Sequence, residues 1–371
     1  MPALDSIEVQ GYKSIRSAKI GLGAINVLIG ANGAGKSNLL GLFGLLADLS
    51  DRRLQFHIAV QGGSDAILHF GRKKTTSLSV AVQFGLQGYE LVLVPGADDR
   101  LVIEREAPFN REPARVGLPR AGESAFVPGV MESGLREPLF DWQPAQADGH
   151  SGGPVFVRMQ SWRPFHFHDA GRSAPAKRKQ KIDDNRFLRA EGDNVAPVLL
   201  ALQTVAPGSY RRIVEAVRSV APFFDDFVLA PDVVNPDVIQ LAWRHRTDDA
   251  LFTADSLSDG TLRFICLATL LLQPQLPSLI VIDEPELGLH PFAISQLAAL
   301  VRSAATKSQV LLATQSVTLL DQFEANEVIV AERSNGESTF SRLDEAALAE
   351  WKQEYSLGEL WLKNVLGGRP R

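Results

Sequence analysis

The chain of 371 residues has one cysteine and three methionines. A single thiol excludes an intramolecular disulfide and fits a reducing compartment. That thiol, Cys266, lies inside the apolar run FICLATLLL and reads as a small buried core residue. No apolar run reaches the roughly 18 residues that a membrane helix needs. Pro2, Asp5 and Glu8 interrupt the stretch where a secretory leader would be apolar, so a cytoplasmic location with no membrane partner is expected. Positive charge is not in excess either, the net charge being −5. Any contact with nucleic acid must come from a local patch. Internal repeats, sustained heptads and an Asn-Lys-x-Asp guanine reader are all missing.

What is present begins with GANGAGKSNLL, residues 30–40. An apolar strand-like run, AINVLIG, leads into it, and the apolar helical run NLLGLFGLLADL follows. Strand, glycine loop and helix together make a phosphate cradle, in which successive N–H groups and the helix dipole face an anion. Gly30, Asn32, Gly33, Gly35, Lys36, Ser37 and Asn38 are the expected nucleotide-binding set. Lys36 should reach the β- and γ-phosphates, and Ser37 should offer its hydroxyl to Mg²⁺. Such a loop needs an acidic partner on a neighbouring strand, and LIVIDEP supplies it. Asp283 is expected to hold Mg²⁺, directly or through water, and Glu284 to polarise the attacking water. A third element, SLSDGTLRF, opens another apolar helix. Ser258 is a good N-cap, and Gly260 lets the backbone approach a ligand. Ser258, Asp259 and Gly260 are therefore expected to form a second anion site.

Coarser patterning divides the chain into four parts. Residues 1–107 form the first part of the head, where SIEVQGYKSI and AINVLIG read as two strands and 77–106 as an antiparallel meander. Residues 108–154 hold seven prolines and seven glycines and read as a flexible insertion without a core. Residues 155–230 read as a helical subdomain with a basic loop (Arg172, Lys177, Arg178, Lys179, Lys181), although VFVRMQSWRPFHFHD itself looks strand-like. Two helices broken at APGS are expected between Asn194 and Ala221. Residues 231–371 complete the head: SLIVIDEP, SQVLLATQS and NEVIVAER read as parallel strands, and PFAISQLAALVRSAA as a helix begun by Pro291.

The order GANGAGKS, LSDGT, VIDEPELGLHP, TQS resembles that of ABC-type ATPases. It is closer to the SMC/RecF/overcoming-lysogeny group than to transporter motors, and WRPFHFHD, DDNRFLR and SLGELWLKNVLGG resemble small stand-alone bacterial AAA-type ATPases of this kind. The resemblance covers most of the chain outside 108–154. It implies an α/β fold: a P-loop ABC-ATPase head with an antiparallel β subdomain and an inserted α-helical subdomain. It implies ATP and Mg²⁺ as cofactors and a homodimer that closes on ATP. Ser258 and Gly260 would then meet the γ-phosphate in trans, and Gly288 to His290 would cross the dimer interface. Glu284 would be the general base. DNA repair, genome maintenance or phage defence is the implied setting, acting on DNA or through a separately encoded effector such as a nuclease.

Departures from the family pattern are specific. Asp259 stands where a glycine is usual, Thr261 where a glutamine is usual, and Gln315 where many relatives have a switch histidine. Gln315 can hydrogen-bond a phosphate or water but carries no charge, so slow hydrolysis is expected. The lobe-linking glutamine is Gln160 by type or His168 by position. Tyr12 is either an adenine platform or a strand residue. His166, His168 and Asp169 form a ligand-like run without a fourth ligand at recognisable spacing, which suits structural or nucleotide-adjacent roles. The basic run could touch a phosphate backbone or be a solvated loop. Two other readings stay open: a nucleotide-gated scaffold with little turnover, and a transporter motor.

Overall fold

The computed structural model describes residues 3–110, 129–135, 155–169, 171 and 174–368. Its centre is a six-stranded sheet in the order Glu337–Arg342, Val328–Ser334, Ile25–Ile29, Gln309–Ala313, Leu279–Asp283, Pro164–Phe165. All neighbours run parallel except Glu337–Arg342, which returns antiparallel at the edge.

The central strands are apolar on both faces, and their period of two divides the core. Val27, Ile29, Ile280, Ile282, Val310 and Leu312 face one cluster, formed with the helices Val195–Val205, Pro207–Val220, Asp259–Leu272 and Pro291–Ala305. Leu28, Leu279, Val281, Leu311, Ala313 and Ile329 face the other, which contains the helix Lys36–Ser50 and an antiparallel sheet. That sheet has the order Ile15–Gly21, Ser6–Tyr12, Leu78–Phe84, Gln87–Pro95, Leu101–Asn110. The helix Lys36–Ser50 is therefore held between two sheets, which is why nearly every one of its turns is apolar.

Three local expectations are corrected. The first 29 residues hold three strands, because the chain turns at Lys13, in the left-handed region at φ 46°, and returns along Ile15–Gly21. Only two residues of that returning strand, Ile15 and Ile20, are buried, so its apolar signal is weak. Residues 155–169 are not mainly strand. Val155–Gln160 is a helix that buries Val155, Met159 and, just beyond it, Trp162, a helical spacing in a run of strand-like residue types. Only Pro164–Phe165 joins the sheet, beside Val281–Ile282. The edge strand Glu337–Arg342 was not anticipated.

Most of the Pro/Gly-rich stretch, 111–128 and 136–154, lies outside the described residues, as does Arg172 of the basic run. The described part between them is tied to the antiparallel sheet. The Ser133 hydroxyl (2.5 Å), the Gly134 N–H (2.9 Å) and the Tyr89 hydroxyl (2.6 Å) all donate to buried Glu106. Among the described residues no helix is long and apolar enough to cross a membrane.

Candidate functional site

The loop between Ile25–Ile29 and the helix Lys36–Ser50 sits at the C-terminal edge of the parallel strands. Gly35 precedes the helix at φ 107°, and a methyl group there would strike the Ser338 hydroxyl. No side chain caps this helix, so its first-turn N–H groups are left for a ligand. Lys36 is 6% exposed, and its ammonium donates to the carbonyls of Gly30 (2.7 Å) and Ala31 (3.1 Å). Burial lowers its pKa, while the carboxylates of Glu284, Asp283 and Glu286 oppose that shift. Asn38 turns to the side: its amide donates to the Ser14 hydroxyl at 2.7 Å, which also accepts from Ser338 at 2.7 Å.

The Ser37 hydroxyl donates to Asp283 Oδ2 at 3.3 Å. Ligands in adjacent positions of an octahedral Mg²⁺ shell stand about 3 Å apart, so this hydroxyl and carboxylate fit the ion. Burial raises the pKa of Asp283, with His166 the strongest of the groups opposing it. Glu284 follows in the left-handed region at φ 44°, with its N–H bonded to the Ala313 carbonyl at 2.9 Å. A non-glycine residue held there is uncommon, and such strain gathers at working sites. Gln315 Nε2 donates to Glu284 Oε1 at 2.5 Å, so in this state the switch-position amide holds Glu284.

Behind it lies a residue that sequence reasoning missed. Glu286 accepts from the Thr314 hydroxyl (2.5 Å) and the Gln315 N–H (3.2 Å), fastening the segment after Gln309–Ala313 to the acidic strand. Burial raises its pKa, and its second oxygen is buried without a partner among the described residues.

The helix Asp259–Leu272, whose opening LSDGT is the signature segment, is built differently. Ser258 caps it, accepting from the Thr261 N–H (3.2 Å) and lying 2.8 Å from the Thr261 hydroxyl. The carboxylate of Asp259 is met in cis by the ammonium of Lys177 at 3.5 Å, and Lys177 is buried. Lys179 pairs with Asp232. Two lysines of the basic run are thus engaged within the chain.

Gly260 has a reason that the sequence did not reveal: a methyl group there would collide with the Gly288 carbonyl. Arg263, one turn on, is buried and donates to the carbonyls of Phe167 (2.7 Å) and His168 (2.9 Å). Gly260→Ala should accordingly destabilise the protein by about 1–3 kcal/mol, since the obstacle is backbone rather than a movable side chain. Thermal denaturation checks this, and an unchanged midpoint would show that the helix can retreat without cost.

Other expectations are settled by position. Tyr12 is completely buried, so it offers no face to a base. It points inward from the end of its strand, and its hydroxyl has no hydrogen-bond partner among the described residues. Phe70 is 58% exposed and lines a cavity of about 780 Å³ with Lys13, Ser14, Asn38, Arg72 and Arg333 beside the phosphate loop. Gln160 donates to Asp51 at 2.7 Å, on the C-cap of the phosphate-loop helix. His166 and His168 instead lie beside Asp283.

This arrangement defines an ATPase fold of the AAA and SMC-head type. The chain belongs to the family described as "AAA domain, putative AbiEii toxin, Type IV TA system", whose model matches residues 25–321. No curated protein matches it. Among solved structures, it is similar to an Smc head bound to the C-winged helix domain of ScpA. That likeness has 14% identity and a TM-score of 0.63, over 94% of this chain and 100% of that one. It is also similar to the Pyrococcus furiosus Smc head with an extended coiled coil, bound to the C-terminal domain of ScpA. Here identity is 13% and the TM-score 0.56, over 95% of this chain and 99% of that one. The Pyrococcus yayanosii Smc head with a coiled coil and joint gives 12% and 0.52, over 95% and 99%.

Proposed function

We propose that the chain binds ATP with Mg²⁺, hydrolyses it slowly and uses the bound nucleotide to join two copies of itself. The observation that carries the catalytic half is the convergence of Ser37, Asp283, Glu284 and Gln315 on the uncapped helix of Lys36. The triphosphate lies on that helix N-terminus, and base and ribose take the cavity lined by Phe70, Lys13 and Arg72. Ser37 and Asp283 would hold Mg²⁺, which would supply neutralisation of the phosphate charge. Glu284 accepts the proton of the attacking water, and Gln315 fixes the direction of that carboxylate.

The dimer half rests on the surface around the signature. Ser258, Asp259 and His290 are exposed, and Leu287 and Phe292 beside them are 48% and 51% exposed. A second copy covers this surface, placing Ser258 and Gly260 on the nucleotide held by its partner. Light scattering with ATP and Mg²⁺ should give a dimer for the parent protein. Ser258→Arg should bind ATP with parental affinity and remain monomeric. A parent that stays monomeric at saturating ATP, or a Ser258→Arg that dimerises, refutes this half.

The dimer acts in DNA repair, genome maintenance or phage defence, in the cytoplasm. Turnover stimulated by duplex or single-stranded DNA supports direct action, and indifference to both supports a separately encoded effector. The 2.5 Å bond between Gln315 and Glu284 favours one second reading, a nucleotide-gated scaffold whose base is held back from water.

A further inference from the structure

The register of the edge strand brings two imidazoles to the acidic strand. Phe165 pairs in parallel with Ile282, so the next residues, His166 and Asp283, leave the sheet side by side. In extended chain, residues two apart share a face. His166 and His168 thus point the same way, while Phe167 between them is buried in the core. The segment is fastened from behind: the His166 N–H donates to the Ala190 carbonyl at 2.8 Å, and Arg263 holds the carbonyls of Phe167 and His168. One ligand atom each from His166, His168 and Asp283 lies within 4.8 Å of the others, and the two rings are 5.9 Å apart between centroids. Among the described residues neither ring forms a hydrogen bond. The third member of the cluster is Asp283, from the central sheet, and not Asp169, its neighbour in sequence.

Two imidazoles and one carboxylate are a poor donor set for Mg²⁺, which prefers carboxylate, phosphate and water oxygen, and a good one for Mn²⁺, Co²⁺ or Zn²⁺. Tetrahedral donors around such an ion stand about 3.5 Å apart, within reach of small rotations of the two rings. We propose that His166, His168 and Asp283 hold a divalent first-row transition ion at the mouth of the phosphate loop. The inference deepens the nucleotide reading, because Asp283 would then share its oxygens between the imidazole-bound ion and the ion expected to accompany ATP. It makes the divalent-ion preference of this chain a property of the segment that follows its edge strand.

The test uses nucleotide-free protein. Co²⁺ is titrated and followed by visible absorption, and Mn²⁺ by the loss of its free-ion paramagnetic resonance signal. The parent should bind one Co²⁺ with the intense bands of imidazole ligation and with little competition from Mg²⁺. His166→Ala and His168→Ala, each confirmed folded by circular dichroism, should weaken Co²⁺ binding at least about tenfold. His168→Gln should do the same. Equal Co²⁺ affinity in the parent and all three variants, or only the pale spectrum of the hydrated ion, overturns the proposal. ATP binding with Mg²⁺ is measured on the same parent preparation. If Co²⁺ binds through the histidines and ATP does not bind, the nucleotide reading alone fails. If ATP binds and no metal depends on the histidines, only the metal site fails.

Discussion

Glu284→Gln will slow ATP hydrolysis by about 10²- to 10⁴-fold, the range that a general base typically contributes. ATP affinity will stay close to that of the parent. Glutamine has nearly the shape of glutamate, and its carbonyl oxygen can still accept from Gln315 Nε2, the bond now 2.5 Å long. What disappears is the basicity that takes a proton from water. The backbone posture at φ 44° is borne equally by either residue, so the variant should fold as the parent does. Removing a carboxylate beside the γ-phosphate also removes a repulsion, so the ATP-bound dimer should accumulate. Phosphate release and light scattering on one preparation read both effects. Turnover within threefold of the parent would mean that Glu284 is not the base.

Lys36→Ala will weaken ATP binding by at least about 100-fold, which corresponds to roughly 2.7 kcal/mol. Two of the three ammonium protons are occupied by the Gly30 and Ala31 carbonyls, which leaves one for a phosphate oxygen. A hydrogen bond between charged partners contributes about 1.5–3 kcal/mol, and the lost attraction to a triphosphate adds to it. Burial lowers the lysine pKa, but the three nearby carboxylates favour the charged form. Lys36→Met separates charge from packing, because it keeps most of the volume and no proton. Titration calorimetry should show the same loss for both variants. Near-parental affinity in Lys36→Met would reduce the lysine to a spacer that shapes the loop.

The elements legible in the sequence are those whose chemistry is local. A phosphate loop needs glycines, a lysine and a hydroxyl within eight residues, and an acidic strand end needs two carboxylates in a row. Buried parallel strands such as Leu279–Asp283 and Gln309–Ala313 appear as unbroken apolar runs because both of their faces are covered. What escaped reading depends on partners distant in the chain. Arg263 is one charge on an apolar helix, and only the fold brings the carbonyls of Phe167 and His168 to it. Lys177 read as part of a basic loop, yet it pairs with Asp259, 82 positions away. Glu286 stood in a family phrase without a role until Thr314 and Gln315 closed on it. Tyr12 could be read either as a platform or as a strand residue, since burial at the end of a strand depends on what packs above it.

The collision that forbids a side chain at Gly260 also forbids slack between two segments. The helix capped by Ser258 and the turn containing Gly288 touch backbone to backbone, and that turn begins directly after Glu284. Neither segment can tilt alone. In a pair of chains clasped around two nucleotides, a push on Ser258 from one bound triphosphate would travel through this contact to the carboxylate serving the other. The two pockets would then fire in concert or in strict alternation, and a chain made to bind only one ATP would be slowed at both.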